Sequence, residues 1–561
     1  VAERLTIAAM LAAAFLAALP PYRLTAQVDP TGRWRTLETA HFDVHTRAGT
    51  RDVALRAAGE AEAAYAEFAR FLPAPRSRID LVVADNSDDA NGYATTYPRP
   101  RIVVYALPPA GDAQLAAYDR WLRLVVTHEL AHIFHLDLAR GWWSAARSIL
   151  GRAPFLFPNA WTPPWVREGL AVFYESRLTG AGRLEGAWHR AIIAAATVEA
   201  DGMPLDEAST SSPKWPSGLK PYAFGSRFMG AAAGRFGDSV VARYATEVAR
   251  RPIPYLQLAS AWRRVAGVKI GNIWDDAQDD GAPGRGGTGA PDVTTWMRGL
   301  RTVVAPRVSP DGRRILVAFD NGRDAMRLVE FRRDSSSWRS IARLNGANGL
   351  AWTSDGAAIV SQLEFTDRYT MRADLWAISP GGRAERLTHG ARLREPDGAG
   401  DGTIVAVRVV PGGTELVLLT DGRTDGQTVG RSEPGMEWAT PRFNPAGTLI
   451  AAVRVERGWH DIVLLDRTGR LVRQLTHDSV ADLTPAFTPD GRWLVWSREV
   501  DGVPQIVGVR GVEDSTAGDA AQFTRERFAA WAPGPANDTL YYLSYHADGF
   551  RLVSVPLTGT P

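Results

Sequence analysis

The chain has 561 residues with 64 basic and 62 acidic side chains, a formal charge of +2, and this balance leaves no basic footprint for nucleic acid. It contains no cysteine, which excludes both a disulfide framework and a lipoprotein anchor, so stability must come from packing. With 45% hydrophobic and 22% charged residues it has the composition of a folded protein, and its length predicts two or more domains.

Residues 1–26 carry one early Arg4, an Ala- and Leu-rich apolar run from Leu5 to Leu19, then Pro20-Pro21 and the small residue Ala26. This pattern predicts a signal peptide and a periplasmic or otherwise secreted, cell-envelope location. A membrane span needs about twenty apolar residues, more than this run has, although an uncleaved anchor is the alternative.

From residue 33 to 274 the pattern mixes strand and helix. Strands are predicted at Thr39 to Thr46, Ile79 to Ala84 and Arg101 to Ala106, with an Ala-rich helix at Asp52 to Phe71. Helical periodicity then dominates: Leu115 to Leu138, Trp165 to Arg177, Ala187 to Val198, Ala223 to Phe236, Ser239 to Arg250 and Tyr255 to Ala266. Arg101 to Ala106 is expected to form the sheet edge, against which an extended peptide could add its backbone hydrogen bonds. Residues 141–165 form an insertion with Trp142, Trp143, Phe155, Phe157, Trp161 and Trp165. Such a cluster is core, a lining for substrate pockets, or a surface that touches a membrane.

The chemistry lies in Thr127-His128-Glu129-Leu130-Ala131-His132. On a helix His128 and His132 project from one face, one turn apart, and reach a single ion; Glu129 lies about one hundred degrees round, where its carboxylate can take a proton from a water. A third ligand must come from elsewhere, and Glu168 is the candidate, 36 residues after His132 (168 − 132), in Trp165-Val166-Arg167-Glu168-Gly169-Leu170-Ala171. Glu175 follows on the same helical face, to orient a ligand or merely to cap or solvate its helix. His135 also shares a face with the histidine pair. A third-histidine signature HExxHxxGxxH would need Gly at 135 and His at 138, where this chain has His135 and Leu138, so His135 is assigned to packing.

These two motifs together resemble the gluzincin, peptidase MA-like zinc metallopeptidases. The resemblance covers mainly residues 101 to 240. It implies an α+β zincin-like metallopeptidase domain, a Zn2+ cofactor on His128, His132 and Glu168, and Glu129 as general base. Pro221-Tyr222-Ala223-Phe224-Gly225 looks like the segment that supplies those enzymes with a catalytic tyrosine. Tyr222 is then an oxyanion donor, or an aromatic that packs at a helix start. No clear GxMEN segment is present to hold a free amino terminus, which points to an endopeptidase rather than an aminopeptidase.

Residues 275–294 are rich in Gly, Pro and Asp and read as a linker. After it, over residues 295–561, short β runs recur with turn signatures: SPDG at Ser309, TSDG at Thr353, VPGG at Val410, NPAG at Asn444, TPDG at Thr488 and APGP at Ala532. Aligned on the third position they fall at 311, 355, 412, 446, 490 and 534, with steps of 44, 57, 34, 44 and 44. Such periods suit four-stranded propeller blades, six of them, and the repeats resemble the TolB-type propeller. The turns follow from Pro and Gly geometry and carry no catalytic meaning.

The fold class is therefore multidomain: a zincin-like domain followed by an all-β propeller. The function expected is a secreted zinc-dependent peptidase acting on peptide or protein substrates, with the propeller binding or filtering them. The alternative is a cell-envelope interaction module whose propeller is the working part, with an envelope protein as partner, and whose zinc domain is scaffold. Membrane contact would come through the signal, as an anchor, or the 141–165 insertion. A serine oligopeptidase is disfavoured, since no GxSxG elbow occurs.

Overall fold

In the computed structural model, which describes residues 28–29, 31–210, 214–279, 293–420, 426–512 and 520–558, alternation of apolar side chains builds the first layer. Five strands, β1 (Arg35–Glu38), β2 (Phe42–Thr46), β3 (Ile79–Ala84), β4 (Gly92–Thr95) and β5 (Arg101–Tyr105), form one sheet in the order β1-β2-β3-β5-β4. The centre is parallel, and both edge strands run antiparallel to their neighbours. Leu81, Val83, Ile102 and Val104 face the helices, while Val82, Ala84, Val103 and Tyr105 face the other way and pack with Val28, Trp34 and Tyr93.

Helix α1 (Arg51–Phe68) lies on the helical side through a buried stripe of Val53, Ala54, Ala57, Ala58, Ala61 and Ala64, small enough for close approach. Next come α2 (Trp121–Leu136), α3 (Trp142–Leu150), α4 (Pro164–Thr179), α5 (Ala187–Glu199), α6 (Lys220–Phe236), α7 (Ser239–Val248), α8 (Leu258–Ala266) and α9 (Ile270–Asp279). Among the described residues no helix is long and apolar enough to cross a membrane.

Several expectations need correction. The strand Arg101–Tyr105 is not the sheet edge: it is hydrogen-bonded on both sides, and the edge is β4. Gly92-Tyr93-Ala94-Thr95 escaped notice because it has no β-branched apolar run. The helix expected from Leu115 begins only at Trp121. Asp112 caps a single 3-10 turn at Ala113–Leu115, and residues 116 to 120 then turn toward the propeller, where the buried Tyr118 hydroxyl donates to Glu437 Oε2 at 2.7 Å. Residues 275–279, read as linker, continue α9, because Trp274, Ala277 and Gln278 are buried and the Gln278 side-chain Oε1 accepts the Met203 N–H. Part of the 141–165 insertion is helix α3. The signal-peptide region 1–26 and residues 280–292 of the linker lie outside the described residues.

The second half is a ring of six four-stranded antiparallel sheets. Their first strands, Val303–Val308, Ala347–Trp352, Leu393–Gly398, Met436–Phe443, Asp482–Phe487 and Ala530–Pro535, follow one another round the ring, the sixth beside the first. Strand β6 (Thr294–Leu300) pairs with Gly549–Pro556 as the outermost strand of the sixth sheet, so the propeller's two chain ends close it without a covalent link.

The turn after each first strand is closed by a backbone bond, from the N–H of Ser309, Thr353, Ala399, Asn444, Thr488 and Ala536 to a carbonyl at or just before the start of the next strand. The third-blade turn is thus Ala399-Gly400-Asp401-Gly402, not VPGG, which links the second and third strands of that blade. The sixth is Ala536-Asn537-Asp538-Thr539, and APGP lies within its first strand. Third positions become 311, 355, 401, 446, 490 and 538, with steps of 44, 46, 45, 44 and 48, so the irregular pair disappears.

The two halves share one continuous apolar core. Trp188 of α5 stacks on Trp531 with ring centroids 4.4 Å apart, beside Phe550 and Tyr545. Around it Arg190 pairs with Glu499 at 2.6 Å and Glu199 with His546 at 2.8 Å. On the other flank, Asp88 is held by Arg372 and Arg392 at 2.9 and 2.8 Å.

Candidate metal centre

Helix α2 is buried from Leu124 to His135, so its polar residues sit in an apolar setting and need partners. His128 and His132 lie one turn apart, with ring centroids 4.9 Å apart at 86°. Helix α4 carries Glu168 to them: its Oε2 is 3.7 Å from His128 Nε2 and 3.2 Å from His132 Nε2. The three donor atoms lie within 4.8 Å of one another.

Two glycines set that approach. A Cβ on Gly169, next to Glu168, would stand 2.3 Å from the Gly225 carbonyl carbon, and one on Gly225 would stand 2.2 Å from the Trp165 oxygen. Helices α4 and α6 therefore touch backbone to backbone, which a side chain at either position would prevent. The contact also brings Tyr222, one turn before Gly225, to the site: its ring stacks over that of His128 at 6.2 Å and 18°.

The donor set fits zinc. Glu168 Oε2 is buried and has no hydrogen-bond partner among the described residues, since His128 Nε2 lies beyond hydrogen-bond distance and His132 Nε2 is poorly aligned. His128 Nδ1 is occupied by Glu175 Oε2 at 2.7 Å, which holds the tautomer with Nε2 free to ligate. Two imidazole nitrogens and one carboxylate are a ligand set that leaves a coordination position for water or substrate.

Electrostatics follow from burial and these neighbours. Burial raises the Glu129 carboxyl above its ordinary value, opposed by His128 and His132. Burial also resists ionisation of Glu168, but His132 and His128 overcome it and hold that carboxyl well below the usual range. Burial and Arg183 push His128 down, yet Glu168 and Glu175 push harder, up to about 9. Burial, then Glu168, raises the Tyr222 phenol, which keeps its proton.

Sequence reasoning missed Arg183. Its guanidinium grips Glu175 through Nε to Oε1 at 2.9 Å and Nη2 to Oε2 at 2.6 Å, and it lies over the Tyr222 ring at 5.1 Å. Its Nη2 is also 2.8 Å from His128 Nδ1. That nitrogen cannot both accept from Arg183 and donate to Glu175; with Nε2 as ligand it carries the proton and donates to Glu175, and Arg183 serves the carboxylate. No motif marked Arg183, which lies in a turn; the signal was the lack of a cation to balance the buried Glu175. Gly92 was missed as well: a Cβ there would meet Val125 Cγ2 at 2.8 Å and Glu129 Oε1 at 3.2 Å, so β4 passes directly beside Glu129.

His135 is fully buried with neither ring nitrogen hydrogen-bonded, and burial lowers it to about 3. It stands outside the donor cluster, as a neutral packed ring.

No protein-family model matches the chain. It is 29% identical over 116 residues to a TolB homolog of Chlorobaculum tepidum, covering 20% of this chain and 26% of that protein. It is 28% identical over 110 residues to an uncharacterized protein of Agrobacterium fabrum, covering 19% and 36%. The chain thus spans about a quarter and about a third of these curated relatives. Among solved structures, TolB from Acinetobacter baumannii is similar at 16% identity and a TM-score of 0.33, covering 52% of this chain and 71% of that one. An oligogalacturonate lyase from Vibrio parahaemolyticus gives 12% and 0.32, covering 47% and 93%. The six-bladed propeller is accordingly TolB-like in sequence over one stretch of the chain.

Proposed function

We propose that the chain is a zinc-dependent, gluzincin-type peptidase of the cell envelope, acting as an endopeptidase. The observation that carries this is the buried, unbonded Glu168 Oε2 facing two imidazole Nε2 atoms, with Glu129 beside them. Zinc on His128, His132 and Glu168 would supply a Lewis acid that polarises the scissile carbonyl and acidifies water.

The chain's own groups do the rest. Glu129, whose proton affinity is raised by burial, takes the proton of the attacking water and passes it to the leaving amine. Tyr222 donates its phenol hydrogen to the oxygen on which charge develops. Glu175, clamped by Arg183, fixes the His128 ring. The free edge of β4 offers backbone donors and acceptors along the side of Glu129, where an extended peptide can add as a further strand. That edge has no acidic residue to bind a free amino terminus, which favours internal cleavage. The segment leading into β4 and helix α5 are both tied to the propeller, which supports its role in admitting substrate.

Zinc content and hydrolysis of a peptide library, measured together, test the reading. Glu129→Gln is expected to keep its zinc and lose about 10³-fold in kcat; undiminished hydrolysis in that variant rejects the mechanism. The TolB likeness favours a second reading, an envelope interaction module, under which the wild-type chain cleaves nothing in the library.

A further inference from the structure

Helix α3 and the turn before α8 expose large apolar side chains that the fold does not use. Ile149 is 83% exposed, Leu150 60% and Trp142 48%, and Phe155 continues the patch. The neighbouring turn adds Leu256, 74% exposed, and Tyr255. The two segments are joined: Trp143 Nε1 donates to the Arg251 carbonyl at 2.8 Å and Arg140 N to the Ala249 carbonyl at 3.2 Å. Trp143 is buried and stacks on Trp142 at 3.8 Å, so the exposed indole is held rigidly from beneath.

The charge around this patch is mainly positive, and its acids Asp137 and Glu247 are each taken by arginines. Residues 138–166 contain three arginines and no acid, and residues 249–274 contain four arginines, one lysine and no acid. Beside α3 lies a cavity of about 220 Å³ whose charged walls are Arg76, Arg140, Arg147, Arg152 and Asp137. Asp137 is taken by Arg147 and Arg152 at 2.7 and 2.8 Å. Arg76, Arg140 and nearby Arg250 make no ion pair among the described residues, and Arg76 and Arg250 are exposed.

We propose that this face docks the protein on an anionic phospholipid surface. Aliphatic tips reach the acyl boundary, Trp142 and Tyr255 sit at headgroup level, and the unpaired arginines meet lipid phosphates, the cavity holding one of them. A second copy of this chain is a poor occupant, because a two-fold contact would set arginine against arginine. The proposal is independent of the peptidase reading and rests on no residue of the metal centre.

The absence of cysteine allows a single-site probe. Leu150→Cys in the full chain is labelled with a polarity-sensitive fluorophore, with Ser335→Cys on the propeller as control. Vesicles of equal parts phosphatidylglycerol and phosphatidylcholine should shift the emission at 150 to the blue and leave 335 unchanged. Pure phosphatidylcholine vesicles should bind at least roughly tenfold more weakly. Placing Ile149→Asp in the labelled chain should weaken anionic-vesicle binding by roughly tenfold or more, with zinc content unaltered. Four results overturn the proposal: silence at 150 when the chain sediments through residues 5–19 alone, equal shifts at 150 and 335, equal binding to both vesicles, or a lipid-free shift that grows with protein concentration.

Discussion

The half that carries the candidate metal site and the propeller are built on opposite plans. In the first, three helices far apart in sequence converge through contacts that occur once: Gly169 on Gly225, Glu168 between two histidines, Arg183 on Glu175. In the second, one four-stranded unit is repeated, and a backbone-closed turn follows the first strand of each of the six. Unique contacts concentrate chemistry and have no backup; repetition spreads stability, and each unit leans only on its neighbours.

The largest effect is expected where the plans meet. Trp188 fills the joint against Trp531, Phe550 and Tyr545. Trp188→Ala removes a buried aromatic and should cost about 4 kcal/mol. Calorimetry is expected to replace one transition by two as the halves uncouple; a single transition at the wild-type temperature would show that the joint carries little.

Next is the helix crossing. Gly225→Ala pushes a methyl into the Trp165 carbonyl, with no flexible side chain to yield, and should cost about 3 kcal/mol while spreading Glu168 and Tyr222 from the histidines. Denaturant unfolding and zinc titration should fall together. Stability lost with zinc affinity intact would separate the crossing from the site.

These helices explain what sequence could and could not reveal. His128, Glu129 and His132 were legible because one helix sets their spacing. Glu168 and Tyr222 were found by motif, and the glycines beside them make the approach possible. Arg183 and Gly92 were not legible: one answers a charge created by tertiary burial, the other a strand too short and polar to announce itself. In the propeller, blade number was legible from turn chemistry. Register failed in the third and sixth blades, where Ala399-Gly400-Asp401-Gly402 and Ala536-Asn537-Asp538-Thr539 lack the Ser, Thr or Asn whose side chain accepts a backbone N–H in the other four turns.

A smaller effect tests the joint through pH. Burial pushes the Glu437 carboxyl from 4.5 up to about 7, against the hydrogen bond from Tyr118. The folded chain therefore holds this proton between pH 4.5 and 7 while the unfolded chain releases it, so stability falls as pH rises through that window and levels off above it. Glu437→Gln keeps an acceptor for Tyr118 and should flatten that part of the urea-midpoint profile. Asp397 and Asp482, both raised by burial to about 6, titrate in the same direction, so the difference between wild type and variant isolates Glu437.

The smallest effect belongs to a repeated turn. Gly491 has φ +70, and a Cβ there would find nothing nearer than Pro445 at 3.7 Å, so Gly491→Ala carries only the cost of the left-handed backbone, about 1 kcal/mol. Because five equivalent turns remain, unfolding should stay a single transition with slightly lower midpoint, and zinc binding should be untouched. The same substitution, glycine to alanine, thus discriminates the two plans: at Gly225 the obstacle is another helix's backbone and the site goes with it, whereas at Gly491 it is the local dihedral alone. Loss of zinc in Gly491→Ala would mean that strain in one blade reaches the metal centre, and the contrast between a unique contact and a repeated one would fail.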